Sequence, residues 1–289
     1  MLKNRKRNFS IFMLPSMLIL IIVFAVPLVY SLIVSFFDTS LRTDGLGSFV
    51  EIKNYVSALT DSYFLDSMGT TFVFTLGVVC AEFIVGLIIA LLLNTNVPGK
   101  SIYFSIILVP MMITPVAVGL IWRLLLHSEL GVVNYLLELL GISGQAWLAD
   151  SSLALKTVMF IDVWQNVPYM VLVILAGLVS LPEEPYEAAR VDGASAFQRF
   201  RYLTMPMMVP TFMVVLLMRA INALKTYDLI YVLTKGGPGV ETEVISYHIY
   251  QEAFRNLEIG SASAMSYLLV AVIAPIAFVF IKVSKNKTQ

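Results

Sequence analysis

Charged side chains are rare in this chain: they make up 13% of its 289 residues, against about a quarter in soluble globular domains. Apolar residues make up 58%, and the mean hydropathy is +0.85. This composition excludes a soluble globule and predicts a polytopic protein of the lipid bilayer. Acidic and basic residues balance at 19 each, and no basic tract contains interleaved aromatic residues, so we expect no nucleic-acid partner.

Cysteine and histidine are nearly absent. There is one cysteine, Cys80, so a disulfide framework and a Cys-based zinc site are both excluded. Its place in an apolar run predicts a buried, inert thiol. The two histidines, His127 and His248, are too far apart in the sequence to suggest a metal site. We therefore expect no metal and no cofactor.

A phosphate-binding loop is also missing. Pro98-Gly99-Lys100-Ser101 ends like the G-x-x-x-x-G-K-[ST] motif, but Asn94 stands where the first glycine is needed. An apolar run precedes this stretch in place of the required strand. Neither histidine nor cysteine clusters at one membrane face, which argues against an integral membrane enzyme. We expect the chain neither to bind ATP nor to be an enzyme.

Six apolar runs are each long enough to cross the hydrocarbon core, which takes about 20 helical residues. They comprise residues 11–36, 67–93, 102–126, 155–180, 207–231 and 260–281. The first follows a basic tail but is much longer than the core of a signal peptide and has no small-residue cleavage site, so we interpret it as an uncleaved span. No linker divides the chain, and we expect one all-α membrane domain over residues 1–289.

Basic residues favour one side of this arrangement. The N-terminal tail, the turn 94–101, the loop 182–206 and the C-terminal tail hold 11 Lys and Arg residues, whereas the opposite loops hold four, with Lys156 at their edge. Short loops rich in Lys and Arg stay in the cytoplasm. The bias therefore predicts that both termini and the 182–206 loop are cytoplasmic.

Residues 182–206, which we call the knob, form a polar interruption between two of these runs. Pro182-Glu183-Glu184 suits the first turn of a helix, and Asp192-Gly193 suits its end. Ser195-Ala196-Phe197-Gln198 has the pattern of a capping box, which predicts a second helix ending near Pro206. The pattern predicts a helix–Gly–helix unit outside the bilayer. The alternative is an ordinary polar loop with helical propensity.

The knob resembles the EAA loop in permease subunits of bacterial binding-protein-dependent ABC importers. The matching residues are Glu187, Ala188, Ala189, Gly193, Leu203, Met205 and Pro206. The resemblance implies the type I ABC importer permease fold with six transmembrane helices, in the bacterial cytoplasmic membrane. It also implies that the loop docks into an ATPase subunit as its coupling helix, through Glu187, Ala188, Ala189, Asp192, Gly193 and Pro206.

A second stretch resembles the carbohydrate branch of these permeases. Thr234-Lys235-Gly236-Gly237-Pro238 follows the fifth run and leads into an aromatic-rich segment. The resemblance implies that Gly236, Gly237 and Pro238 face a solute-binding protein. The alternative is a Gly/Pro turn that only caps a helix.

Two polar stripes lie on helix faces inside the fourth and fifth runs. They comprise Asp162, Gln165, Asn166 and Tyr169, and Arg219, Asn222 and Thr226. Polar groups in a membrane usually face a cavity or another helix. We predict a shared pocket whose polar groups bind hydroxyls, with Trp164 or Tyr169 as an aromatic face. The resemblance places solute contacts at Asp162, Gln165, Asn166, Tyr169, Arg219 and Asn222. The alternative is contact between helices, including an Asp162–Lys225 ion pair.

The sequence thus predicts a permease subunit of an ATP-driven importer, with a sugar or oligosaccharide as solute. The expected partners are a second, different permease subunit, two ATP-binding cassette ATPase subunits and an extracytoplasmic solute-binding protein. Another solute, such as a sugar phosphate, a polyol or an amino acid, remains an alternative. A proton-coupled secondary transporter would use Glu82 as its carrier, but this acid stands alone and no internal repeat accompanies it. An interhelical hydrogen bond or a position near a partner subunit suits it better.

Overall fold

The computed structural model of the chain describes residue 13 and residues 15–95 and 98–286. The predicted basic N-terminal tail, residues 11, 12 and 14 of the first predicted span, and Lys287 lie outside these residues. Within the described residues the secondary structure is helical, apart from two isolated β-bridges, Phe37 to Phe49 and Ser40 to Glu258.

The helices follow one another along the chain as thirteen segments of the described residues. They are α1 (Pro15–Val34), α2 (Lys53–Thr60), α3 (Ser62–Leu93), α4 (Lys100–Met112), α5 (Pro115–Leu125), α6 (Val132–Leu139), α7 (Ala154–Val179), α8 (Glu184–Val191), α9 (Ala196–Arg199), α10 (Met205–Leu224), α11 (Asp228–Leu233), α12 (Ile245–Phe254) and α13 (Ile259–Asn286). A π-helical turn, Phe200–Thr204, joins α9 to α10.

Five helical stretches within the described residues are long and apolar enough to span a membrane: Pro15–Val34, Ser62–Leu93, Ala154–Val179, Ala196–Leu233 and Ile259–Phe280. A sixth candidate is the pair α4 and α5, which is bent by 94°. The predicted third span, 102–126, thus falls on two helices with a sharp bend between them. Thr114 is extended because Pro115 follows it, and Pro115 supplies no N–H to continue the helix.

The chain forms two compact units, and each is described by itself. The first contains the described residues up to Leu65 together with Ile249–Ala271. In this unit Asn54 donates its side-chain amide to the carbonyl oxygens of Ser35 and Phe37, at 2.9 and 3.0 Å. Tyr267 donates its hydroxyl hydrogen to the carbonyl oxygen of Leu28 and thereby joins α13 to α1.

The second unit contains Asp66–His248 and the residues from Val272 onward, and three of its helices pack closely. Gly86 lets α3 approach α7, since a Cβ there would lie 2.6 Å from Met170 Cβ. Phe83 of α3 packs edge-on against Phe212 of α10, with ring centroids 5.1 Å apart. Gly177 brings α7 against Met208 of α10, because an added Cβ would lie 2.8 Å from its Cε. These contacts fix α3, α7 and α10 around the buried polar groups described below.

Cys80 lies on α3 and is exposed, so the expectation of a buried thiol was wrong. The hydropathy of a helix does not tell which face packs against protein and which faces lipid, because lipid is as apolar as a protein core.

Candidate functional site

Three charged side chains of the second unit form a buried group, which we call the ion cluster: Glu82 of α3, Asp162 of α7 and Arg219 of α10. All three are at most 3% exposed. Arg219 Nε donates to Glu82 Oε2 at 2.6 Å and its Nη2 donates to Oε1 at 2.8 Å. The same Nη2 also donates to Asp162 Oδ2. Buried charges persist only when they are paired and hydrogen-bonded, and this two-point contact between a guanidinium and a carboxylate is the strongest form of such pairing.

The ion cluster bears on two of the alternatives that the sequence left open. Asp162 pairs with Arg219, so the alternative of an Asp162–Lys225 ion pair was wrong. Glu82 of α3 accepts hydrogen bonds from Arg219 of α10, which confirms the predicted interhelical hydrogen bond. A carboxylate held in this way is not a free proton carrier, and the carrier role for Glu82 is not supported.

A polar cavity of about 260 Å³ lies directly beside the ion cluster. Five of the six predicted solute contacts line it: Asp162, Gln165, Asn166, Arg219 and Asn222. Tyr169 and Trp164 are not among the lining residues. Gln165 donates to the carbonyl oxygen of Ile113 at 3.0 Å and thereby holds the bend between α4 and α5 at the cavity wall. The role of these residues as solute contacts stays a prediction.

Three of the remaining lining residues come from a break in the helix. α10 ends at Leu224 and α11 begins at Asp228, so that Lys225, Thr226 and Tyr227 lie outside regular helix. All three line the polar cavity, together with Pro115, Asp228 and Leu229. Irregular backbone within a membrane is tolerated where it borders a water-filled space, because water can hydrogen-bond its free polar groups. This break therefore has a physical reason to lie at the cavity.

Tyr227, Pro115 and the Glu82–Arg219 pair were not predicted as parts of the site. A signal for the pair existed, because Glu82 is the single acid in its span and must find a basic partner. No sequence signal identified Tyr227, since it lies between two helical segments that the hydropathy pattern joins into one run.

The first helix of the knob begins two residues later than expected. α8 starts at Glu184, and its first turn contains Pro185, so Pro182 lies before the helix. Its end agrees with the prediction, since Gly193 has φ +77°. Only glycine adopts this left-handed conformation without strain.

The second half of the knob confirms the capping box but not the predicted end. Ser195 Oγ accepts from the Gln198 N–H, and Gln198 Oε1 accepts from the Ser195 N–H, at 3.3 and 2.7 Å. The helix does not stop near Pro206. The π-helical turn precedes this residue, and Pro206 occupies the first turn of α10, where its missing N–H is tolerated. The knob is thus continuous with the fifth span.

The solvent-exposed surface of the knob carries apolar side chains. Val191 is 89% exposed, and Phe197 and Tyr202 are each 73% exposed. The predicted coupling residues Glu187, Ala188, Asp192, Gly193 and Pro206 are also exposed, and Ala189 is half-buried. Tyr186 donates its hydroxyl hydrogen to Thr204 Oγ1 at 2.9 Å, which fixes α8 against the base of α10. An exposed apolar group on a rigid support is typical of a surface that another protein covers.

The Gly236-Gly237-Pro238 turn has one buried residue and two that are partly accessible. Gly236 is buried with φ +85°, and a Cβ there would lie 3.0 Å from the ring of Tyr247. Gly237 and Pro238 are half-buried and border a second cavity of about 380 Å³ beside His127 and Trp147. Thr242 donates its hydroxyl hydrogen to the carbonyl oxygen of Gly237 at 2.7 Å. Their contact with a binding protein stays a prediction.

Residues 82–285 match the protein family described as "Binding-protein-dependent transport system inner membrane component". The chain is 39% identical over 267 residues to the probable ABC transporter permease protein y4oQ of Sinorhizobium fredii, which covers 92% of this chain and 86% of that protein. It is 37% identical over 238 residues to the trehalose/maltose transport system permease protein MalF of Thermococcus litoralis, covering 82% and 80%.

Among solved structures, a chain of a bacterial ABC transporter involved in the import of the acidic polysaccharide alginate superposes with a TM-score of 0.86. The match covers 99% of both chains at 23% sequence identity, so it shows a shared fold and no more than that.

Proposed function

Because the chain belongs to the family of binding-protein-dependent transport system inner membrane components, we propose that this permease subunit passes an uncharged sugar or oligosaccharide through the polar cavity. It is a multi-pass protein of the inner membrane, and related permeases carry trehalose or maltose in their names. The class of solute follows from the chemistry of the cavity lining.

The charges that line the polar cavity balance one another. The guanidinium of Arg219 is already engaged by two carboxylates, so it offers no unpaired positive charge to an anion. Lys225 and Asp228 are both exposed at the cavity and carry opposite charges. Lys225 is a lining cation outside the ion cluster, but Asp228 and Asp162 line the same cavity, and their carboxylates would repel a phosphate or carboxylate. The lining therefore favours a neutral solute whose hydroxyls bond to the amides of Gln165, Asn166 and Asn222.

The volume of the polar cavity suits a chain that contributes one half of a solute pathway. Ligand pockets usually measure about 300–1,000 Å³, and this chain alone supplies about 260 Å³. A second permease subunit, which we expect to be a different chain, would complete the site. One chain then needs to hold only part of an oligosaccharide.

A single observation carries the coupling part of the proposal: the knob joins the two helices that line the polar cavity. Four residues separate the end of α7 from the start of α8, and the π-helical turn continues the knob into α10. Closure of a pair of ATPase subunits on the exposed Val191 and Phe197 would move α7 and α10 together. The basic bias of the sequence supports a cytoplasmic position for the knob and both termini, with Gly237 and Pro238 facing the solute-binding protein outside.

The test is uptake by the intact transporter. The tagged chain is purified with its associated subunits, reconstituted into proteoliposomes and supplied with its solute-binding protein and internal ATP. Radiolabelled maltose and trehalose are the probes, and sn-glycerol 3-phosphate is the anionic competitor. We expect ATP-dependent uptake of at least one of the two sugars, with no competition from the phosphate compound.

A matched pair of variants tests the cavity. Asn222→Leu removes an amide from the lining and should lower sugar uptake about tenfold, since one or two hydrogen bonds are worth about 0.5–1.5 kcal/mol each. Asn256→Leu changes an asparagine that is exposed outside the cavity and should leave uptake unchanged. Equal uptake by both variants, or efficient uptake of the phosphate compound alone, would contradict the proposal.

A further inference from the structure

A short helix outside the polar cavity, α6, exposes an apolar face. Four of its apolar side chains are more than half exposed: Val132, Tyr135, Leu136 and Leu139. Their spacing of i, i+3, i+4 and i+7 places them on one side of the helix. The flanking Leu130 and Leu140 are 85% and 76% exposed and extend this surface. We call these six side chains the apolar face of α6.

The opposite side of α6 is held by one buried amide. Asn134 is 2% exposed, and its side-chain nitrogen donates to the carbonyl oxygens of Ser128 and Gln145, both at 2.9 Å. Its side-chain oxygen accepts from the Gln145 N–H at 3.1 Å and from Trp147 Nε1 at 2.7 Å. These four hydrogen bonds fix the rotation of α6 about its axis. The apolar face therefore points away from the part of the chain that holds Asn134.

A tight link places α6 at the end of α5. Residues 126–131 separate the two helices, and a Cβ at Gly131 would lie 2.4 Å from the carbonyl oxygen of His127 and 2.6 Å from that of Leu125. Only glycine fits so close an approach of the backbone. Because α5 is the second half of the bent candidate span, its end marks a boundary of the membrane. The helix α6 thus begins at that boundary.

The apolar surface of α5 leads to that of α6. Val116, Leu120 and Leu124 are spaced four residues apart and are 45%, 53% and 73% exposed. Exposed apolar side chains on a helix that spans the bilayer contact lipid favourably, because acyl chains are as apolar as leucine. The exposed apolar surface therefore continues from a span onto α6.

Lipid suits the apolar face better than a protein that binds and leaves. A partner that dissociates after each transport cycle would repeatedly expose a large apolar patch to water, which promotes aggregation. The single charge of α6, Glu138, follows Asn134 by four residues and lies on the same side of the helix as that residue. Tyr135 belongs to a residue type that is enriched where a membrane meets water. A helix with an apolar face on one side and its charge on the other is typical of the membrane interface.

We propose that α6 is an interfacial anchor, whose apolar face lies among the acyl chains of the leaflet at the carboxyl end of α5. Such a face is buried about 5–10 Å into the boundary between headgroups and acyl chains. On the topology that the basic bias predicts, this is the outer leaflet. Asn134 connects the anchor to Trp147, which borders the second cavity together with Pro238, so the anchor holds that cavity wall at a fixed level. The assignment concerns the membrane and does not depend on the solute.

The experiment attaches a nitroxide spin label to α6 in the purified complex, reconstituted into nanodiscs of phosphatidylethanolamine and phosphatidylglycerol. Cys80→Ala removes the single native thiol, and Leu136→Cys or Tyr135→Cys places the label on the apolar face. Glu138→Cys is the matched control on the opposite side of the helix. EPR power saturation measures collisions with oxygen, which concentrates among acyl chains, and with a water-soluble nickel chelate. We expect a severalfold excess of oxygen collisions at both apolar-face positions, and the reverse at the control position.

Two results would overturn the anchor. Nickel collisions as frequent at Leu136→Cys as at Glu138→Cys would place the apolar face in water. A label at Leu136→Cys that neither reagent reaches would assign the face to a second permease subunit, because only packed protein excludes both. Tyr135→Cys repeats the measurement, so that misassembly of one variant does not decide it. Failure of the proposed function looks different, since the collision rates are measured without solute and do not change if wild type imports neither sugar.

Discussion

Replacing Arg219 with methionine tests the ion cluster, because it keeps the volume of the side chain and removes its charge. Arg219 makes three hydrogen bonds to two carboxylates, and Glu82 is fully buried while Asp162 is 3% exposed. Removing one partner of a buried ion pair typically destabilises a protein by about 3–5 kcal/mol, because the remaining charge has no compensation. Here two carboxylates lose their partner, so we expect Arg219→Met to lie at the upper end of this range.

Two further variants separate charge from packing. Adding Glu82→Gln and Asp162→Asn to Arg219→Met leaves no buried charge in the cluster and should restore most of the lost stability, because a neutral replacement of a buried ion pair is often harmless. Lys225→Met removes an exposed charge at the same cavity and should change stability by no more than about 0.5 kcal/mol.

The assay is reversible unfolding in mixed detergent micelles, followed by the fluorescence of the three tryptophans and fitted for the free energy of unfolding. The reasoning fails if Arg219→Met is as stable as Lys225→Met. It also fails if the triple variant is no more stable than Arg219→Met alone, since the loss would then come from packing.

Two glycine pairs offer matched comparisons. Gly86→Ala places a Cβ 2.6 Å from Met170 Cβ and should destabilise the protein by about 1–3 kcal/mol. Gly69→Ala on the same helix meets nothing within 4 Å and should be neutral or stabilising by up to about 1 kcal/mol. Thermal unfolding measures the stability of both variants, and equal effects would refute the close approach of α3 and α7. Gly193 and Gly141 both have φ +77° and nothing within 4 Å, so valine at either should cost about 1–2 kcal/mol. Less ATPase should co-purify only with Gly193→Val, and an equal reduction with Gly141→Val would point to general instability.

Local chemistry made much of the knob predictable. The capping box of Ser195 and the left-handed Gly193 depend on residues close in sequence, and both are confirmed. The prediction that a helix ends near Pro206 was wrong because a proline can either end a helix or occupy the first turn of a new one. Here it occupies the first turn of α10, directly after the π-helical turn.

The site was predictable as a set of helix faces but not as a set of pairs. The period of 3.6 residues placed Asp162, Gln165 and Asn166 on one face, and all three line the cavity. The partner of Asp162 lies 57 residues away and that of Glu82 lies 137 residues away. At such separations only the depth of each side chain in the membrane can be predicted from the sequence, and its partner cannot. Lys225 and Arg219 were both near the right depth, and helix rotation decided in favour of Arg219.

The ion cluster has a consequence for the way the knob could act on the polar cavity. Asp162 lies 17 residues before the end of α7, and Arg219 lies 14 residues after the start of α10, which at about 1.5 Å per residue places both more than about 20 Å from the knob. Without a connection at that distance, a force on the knob could spread the two helices apart. Because Arg219 joins α7 and α10 and also holds Glu82 of α3, spreading them would leave buried charges unpaired at a cost of several kcal/mol. We therefore expect α3, α7 and α10 to move as one body when the knob is displaced, and the polar cavity to change by the movement of that body as a whole.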